Sequence, residues 1–239
     1  QELIDLFVSQ FTNKTRVLAL THVSNVSGIK LPIKELTSIA HAKGIYVHVD
    51  GAQVWGAMSL DMKELGVDSF SASSHKWFMG PKEVGLLYVK EENTERIWPN
   101  VIAAGWGDQV DTQLQGARKF ESLGQRDDAA LAGIATAAQQ LNLIGLEKIE
   151  NRITKLSQHL KEGITDLGLK LVTPADYTLS FGVCIVEAPT ENRSNITNRL
   201  YEDFGISGAA TGGIRLCPAI YNTVEHVDRA IDALQVIMT

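Results

Sequence analysis

The sequence predicts an α/β fold: a three-layer large domain on a mostly parallel sheet, followed by a small α+β C-terminal domain. Three observations predict it. Short apolar runs alternate with helical periodicity through the first ninety or so residues, the pattern of strands joined by crossover helices. Two long amphipathic stretches then follow one another. Beyond them the pattern changes to very short strands separated by helices. A break near 145–150 places the large domain at 1–145 and the small one at 146–239.

The opening QELIDLFVSQF puts Leu3, Ile4, Phe7, Val8 and Phe11 on one helical face. It reads as the tail of a helix entered midway, and with no initiator Met the expectation is an N-terminally incomplete large domain. RVLALTHVS (16–24) reads as a buried parallel strand, broken by Gly28 and Pro32. A helix over Ile33–Lys43 ends at Gly44, and IYVHVDG (45–51) is the second strand. A short helical connection at 60–66 leads to DSFSASS (68–74), and VGLLYVK (84–90) is the fourth strand. Residues 91–127 are irregular, with Gly105, Gly107, Gly116, Gly124, Trp98 and Trp106 pointing to an ordered loop. Helices are expected over 127–143 and 146–167, stopped by Gly145 and Gly168. LKLVT, SFGVCIVEA and IRLCP read as strands, 193–204 and 223–238 as helices, and Asn222 with Glu225 as a capping box.

Bulk properties narrow the function. The 239 residues are 44% hydrophobic, enough for a full core, and the net charge of −6 is spread along the chain. A nucleic-acid binder needs a basic face, so none is expected as a partner; small molecules are. No apolar run reaches membrane-spanning length, so no membrane partner is expected. Two cysteines cannot make a disulfide framework. Cys184 and Cys217 both sit in strand-like contexts and are expected as buried thiols in a reducing, cytoplasmic setting.

Two motifs can carry chemistry. In HVDGAQ, Asp50 ends an apolar strand before Gly51, and ligands of open α/β sheets lie outside the carboxyl ends of strands. A carboxylate there can pair with a protonated ring nitrogen; equally, it can simply cap the next turn. In SASSHKW, Lys76 follows the third strand at the same sheet edge, where it can form a Schiff base or stand as an exposed loop lysine. Ser73, Ser74 and His75 offer donors suited to a phosphate. His22 reads as a buried histidine near a strand end rather than a site residue. The remaining histidines show no metal-ligand spacing, so no metal is expected.

Taken together, HVSNVSG (22–28), VDGAQ (49–53), SSHKWFMGPKEVGLLYV (73–89), FESLGQRD (120–127) and IRLCPAIYNTVEHVDRAIDAL (214–234) resemble the class V aminotransferases, fold-type I enzymes that use pyridoxal 5'-phosphate (PLP). The resemblance covers nearly the whole chain. It implies a PLP-transferase large domain. Lys76 would hold the cofactor as a Schiff base and shuttle protons, and Asp50 would hold its ring nitrogen. Gln53 would bond its phenolic oxygen, Ser73 and His75 would bind its phosphate, and Asn25 would lie near the phenolic oxygen and substrate carboxylate. Arg215 would clamp the α-carboxylate, for which its planar fork is suited. Gln125 aligns loosely with a position reaching the partner subunit's phosphate, and the resemblance, together with the Gly- and Trp-rich 91–127 segment, implies a homodimer.

KFESLGQRDDAAL (119–131) is most similar to the isopenicillin N epimerase-like branch, which mixes epimerases, aminotransferases and lyases. Cysteine desulfurases share the fold but need a mobile cysteine after the lysine or before the carboxylate arginine. HKWFMGPKEVG and GISGAATGG have none, so the desulfurase reading is rejected on these segments. The expected function is PLP-dependent transamination of an amino acid or amine. The alternatives are epimerisation or racemisation, C–S lysis, and, in a different class, an inert fragment or binding module that retains the fold.

Overall fold

The computed structural model describes residues 1–103, 116–121 and 124–239. Gly105, Trp106 and Gly107, and Ser122 and Leu123 of FESLGQRD, lie outside them. The described chain divides into two compact units.

The first unit comprises Gln1–Leu20, Pro32–Trp55 and Leu60–Leu141. Its helices include α1 (Glu2–Ser9), α2 (Ile33–His41), α3 (Met62–Leu65) and most of α4 (Asp128–Ile144). Strands β1 (Val17–Thr21), β2 (Tyr46–Asp50), β3 (Ser69–Ser73) and β4 (Gly85–Val89) form one sheet in that order. β2 and β3 run parallel with His48 opposite Ser69 and Asp50 opposite Ser71. β4 runs antiparallel to β3, with Ser73 opposite Gly85, so the fourth strand departs from an all-parallel sheet. A 74–84 connection is too short for a crossover helix, and only a reversal can close it.

Alternation explains which residues enter the core. Val47 and Val49 are buried on β2, and Tyr46, His48 and Asp50 take the other face. α2 buries Ile33, Leu36, Thr37 and Ala40, the i, i+3, i+4, i+7 stripe of an amphipathic helix. Asp68, at the foot of β3, is buried and accepts from Val47 N (2.7 Å), His41 Nε2 (2.8 Å) and Asn93 Nδ2 (2.7 Å). Burial pushes its carboxyl up, but those hydrogen bonds outweigh it and hold the group below the usual carboxylate range.

The second unit comprises Thr21–Leu31, Gly56–Ser59 and Asn142–Thr239. α5 (Leu146–Asp166), α6 (Arg193–Phe204) and α7 (Val224–Met238) pack with the antiparallel pair β5 (Cys184–Val186) and β6 (Ile214–Leu216). Leu160, Ile164, Cys184, Leu200, Ile214 and Leu234 are among its core residues. Lys161 is buried in this unit. Its ammonium donates to Pro174 O (3.2 Å), Ala175 O (3.0 Å) and Ser180 Oγ (2.8 Å), so all three protons find acceptors.

Three expectations need correction here. LKLVT forms no strand: Leu171 makes one bridge to Val186, and Thr173 Oγ1 takes the Ile185 N–H (2.9 Å) where a ladder bond would run. The capping box belongs to Thr223 and His226, because Asn222 Oδ1 already accepts from Ala219 N (2.8 Å). Cys184 is buried and its thiol is pushed up to about 12 by burial, but Cys217 is exposed. Ile214 and Leu216 face the core, so strand alternation sends Arg215 and Cys217 the other way.

Candidate active site

Asp50 is the last residue of β2, and Lys76 lies three residues past the end of the adjacent parallel strand β3. Both therefore stand at the carboxyl ends of strands in the first unit, where backbone turns away and side chains are left accessible. Gly51 N donates to Ser71 O (2.8 Å), tying the turn after β2 to β3. Only glycine fits there: a Cβ at residue 51 would sit 1.8 Å from the Phe70 ring. Asp50 Oδ1 accepts from Ala52 N (2.8 Å). The carboxylate thus caps the turn with one oxygen, and the two readings of Asp50 are compatible.

The Lys76 loop is organised by Ser74, which sequence reasoning had grouped with the phosphate donors. Ser74 is fully buried, and the one proton of its hydroxyl is shared between Pro81 O and Val84 O (3.0 Å). Its N–H donates to Val84 O (3.0 Å), and its carbonyl accepts from Gly80 N (2.8 Å). It is a brace and not a phosphate donor. Met79 and Glu83 adopt positive φ (56° and 63°), a conformation that non-glycine residues hold only where surrounding bonds impose it. The result presents His75 and Lys76 as exposed side chains, with Ser73 half-buried at the end of β3.

Two contacts join this loop to the turn after β2. Trp77 Nε1 donates to Gln53 Oε1 (3.0 Å). Trp55 and Phe78 stack with ring centroids 3.9 Å apart and planes at 17°. Trp77 is the residue that sequence reasoning passed over. The signal was HKW itself, but its partner lies 24 residues away. Below them on β2, His48 bonds Ser69 Oγ through Nδ1 (2.8 Å) and Ser71 Oγ through Nε2 (3.2 Å). Burial lowers its pKa, and Asp50 opposes that shift.

In the second unit the structure brings Asn25 and Arg215 together: Arg215 Nη1 donates to Asn25 O (3.1 Å). Asn25 is exposed on a turn in which Ser24 Oγ accepts from Val26 N (3.2 Å) and Ser27 N (3.1 Å). Gly212, at φ 73°, lets the loop before β6 approach this turn; a Cβ there would lie 1.9 Å from Val26 O. His22, at the foot of the turn, is buried as expected, with Nδ1 unpartnered among the described residues. Burial, aided by Lys30, lowers its pKa to about 4. Gln125 is exposed just before Asp127, whose Oδ1 accepts from Ala129 N and Ala130 N (both 3.0 Å) to start α4. Among the described residues no cluster of His, Cys, Asp and Glu is placed to hold a metal ion, and no single helix is long and apolar enough to cross a membrane.

Residues 2–229 match the family model for aminotransferase class-V. The chain belongs to the class V aminotransferase family. Its members, cysteine desulfurases among them, are PLP-dependent. The chain is 36% identical to a probable cysteine desulfurase of Halalkalibacterium halodurans over 163 residues, covering 65% of this chain and 39% of that one. It is 27% identical to isopenicillin N epimerase of Streptomyces clavuligerus, covering 92% of this chain and 60% of the other. The apo cysteine desulfurase of Thermococcus onnurineus NA1 superposes with a TM-score of 0.83 at 26% identity, covering 93% and 60% of the two chains. The chain thus spans well under two thirds of the length of these relatives. Desulfurases stand among them despite the absence of cysteine from the two segments on which that reading was rejected.

The side chains of the first unit fit PLP on chemical grounds. Gln53 Oε1 is occupied by an indole donor, which leaves its NH2 to face an anionic oxygen. Asp50 keeps Oδ2 for a cationic ring nitrogen. The exposed Lys76 amine and the donors at Ser73 and His75 supply the groups that an aldehyde and a phosphate require.

Proposed function

We propose that the full-length protein is a PLP-dependent enzyme acting at the α-carbon of an amino acid. The observation that carries this reading is the pairing of Asp50 with the Lys76 loop at the ends of two adjacent parallel strands. When bound, PLP supplies an electron sink for the pair left at the α-carbon. Asp50 holds the ring nitrogen in its charged form, and Gln53 donates to the phenolic oxygen. Ser73 and His75 hold the phosphate. Lys76 would hold the cofactor through its amine and would act as the base that takes the α-proton. Arg215 receives the α-carboxylate, and its bond to Asn25 O fixes one end of the guanidinium. Gln125 serves the partner subunit of a homodimer, and the enzyme works in the cytoplasm.

The reaction itself has two readings. Carbon–sulfur cleavage is favoured by the desulfurase relatives at 36% and 26% identity. A desulfurase route needs a thiol to receive sulfur. Cys184 is buried, whereas Cys217 is exposed and lines a cavity of about 300 Å3 in the second unit with Tyr221, His226 and Arg229. Transamination is favoured by the missing cysteines in the Lys76 loop and at 205–213.

Adding PLP to the full-length protein should produce a visible absorption band that Lys76→Ala removes. A protein that gives no band is the inert fold instead. If cleavage is right, L-cysteine should then yield alanine and a protein-bound persulfide, which added dithiothreitol reduces to sulfide. Transfer of the amino group of a general amino acid to a 2-oxo acid, with no sulfide from cysteine, would replace that reading with transamination.

A further inference from the structure

The indole N–H of Trp77 can only donate, so the atom of Gln53 facing it at 3.0 Å is the amide oxygen. With Oε1 held, Gln53 presents its NH2 and nothing else. The amide is half-buried, and Nε2 donates to no described residue. Two rungs fix this arrangement. Gln53 and Trp55 lie two residues apart on the turn after β2; Trp77 and Phe78 are neighbours on the Lys76 loop. The second rung is the Trp55–Phe78 stack, with Phe78 buried, which holds the backbone of the Lys76 loop beside the turn after β2 and so keeps residue 77 within reach of Gln53. A free glutamine amide can present either end to a ligand. This one is preset as a donor before any ligand arrives.

We propose that Trp77 is a positioning residue: by holding Gln53 Oε1 it orients the Gln53 NH2 toward an oxygen that carries negative charge. The proposal rests on the PLP reading, in which that oxygen is the cofactor's phenolic oxygen. A fixed donor there stabilises the less protonated form of the cofactor, so it lowers the pH at which the visible band titrates. Without the indole the amide rotates, and donation competes with presentation of the repelling carbonyl.

The test is a pH titration of the visible band in the full-length PLP-loaded protein. Trp77→Phe should raise the midpoint by roughly half a unit to one unit, a fraction of what a hydrogen bond to a charged group supplies. Trp77→His, which keeps a ring N–H, should restore part of the shift. In a Gln53→Leu background Trp77→Phe should add nothing, since the residue acts through Gln53. An unchanged midpoint in Trp77→Phe, or a further shift in the Gln53→Leu background, overturns the inference while leaving the PLP reading intact. Absence of any band in the wild-type protein overturns both. Should Trp77→Phe fail to fold, hydrogen exchange of the Trp77 indole N–H decides. It should be faster in Gln53→Leu than in the wild-type protein, and equal rates overturn the proposal.

Discussion

Ser74 lies buried under the loop that carries Lys76, whereas Ser24 is half-buried beside the turn that carries Asn25. The first serine donates its hydroxyl and closes its loop through residues 80–84. The second accepts from the N–H groups of Val26 and Ser27, and its turn is then braced from far along the chain. Arg215 bonds Asn25 O, Gly212 packs on Val26 O, Leu179 O receives Lys30 N (2.8 Å), and Thr173 packs on Gly28. The Lys76 loop is thus closed by its own hydrogen bonds and tied only to the nearby turn at Gln53 and Trp55, whereas the Asn25 turn is also braced by residues 173–215. A motif closed locally keeps its shape when distant parts change; one held from far along the chain does not.

The comparison breaks most visibly at the lysine. Lys76→Ala removes the amine but none of the loop's hydrogen bonds, because Lys76 contributes only its carbonyl, to Met79 N (3.0 Å). Turnover of the full-length enzyme should fall by about 10^2–10^4-fold, the range for a lost proton-transfer group, with melting unchanged. Borohydride reduction of the wild-type protein should fix PLP on Lys76. Label recovered on another lysine would move the site off this loop.

His22 tests the other turn. Its folded pKa of about 4 lies below the ordinary histidine value of 6.5, so the unfolded chain takes the proton first as pH falls. The stability it contributes is complete above pH 6.5 and is lost on going down through 4. At most that amounts to roughly 3 kcal/mol. Urea unfolding of wild-type and His22→Asn chains across this window should show a steeper acid loss in the wild type. Parallel profiles would mean that the Asn25 turn does not feel this histidine.

What the sequence made legible follows the same division. Periodicity located each strand of the first unit, because alternation of Val47 and Val49 with His48 and Asp50 is local. The direction of β4 was not legible: a parallel and an antiparallel strand both read as VGLLYVK, and only the short connection at 74–84 decides. Trp77 stood inside a quoted motif, but its acceptor lies on another strand end. Ser74 and Ser73 look alike in SASS, and only the pleat sends one of them inward. The parity argument for Cys217 was available, since Ile214 and Leu216 had to face the core, and counting two residues from Arg215 would have exposed it. Contacts such as Arg215 to Asn25 O, 190 residues apart, leave no local trace.

Arg215 sharpens the comparison from the distant side. Arg215→Lys keeps the charge but loses the fork and the Nη1 bond to Asn25 O. Affinity for an α-amino acid should fall about 10–100-fold, the equivalent of one hydrogen bond to a charged group. A matched amine without a carboxylate should lose little. Equal losses on both would make Arg215 a brace for the turn and remove it from the substrate.

Ser74→Ala probes the locally closed loop, with the smallest expected effect. The hydroxyl's two acceptors are not equally exposed to its loss. Val84 O still receives Ser74 N (3.0 Å), whereas Pro81 O loses its hydroxyl donor. One carbonyl left short of a partner costs about 1–2 kcal/mol, and the loop lies at a surface where water can relieve part of it. The change should therefore be local. Hydrogen exchange should quicken across 75–83, where Met79 and Glu83 hold positive φ only while the loop stays closed, and should stay unchanged across 21–31. The urea midpoint should move slightly, with its slope unaltered. If exchange quickened equally in both segments, the Lys76 loop would not be closed locally, and the contrast between the two turns would fail.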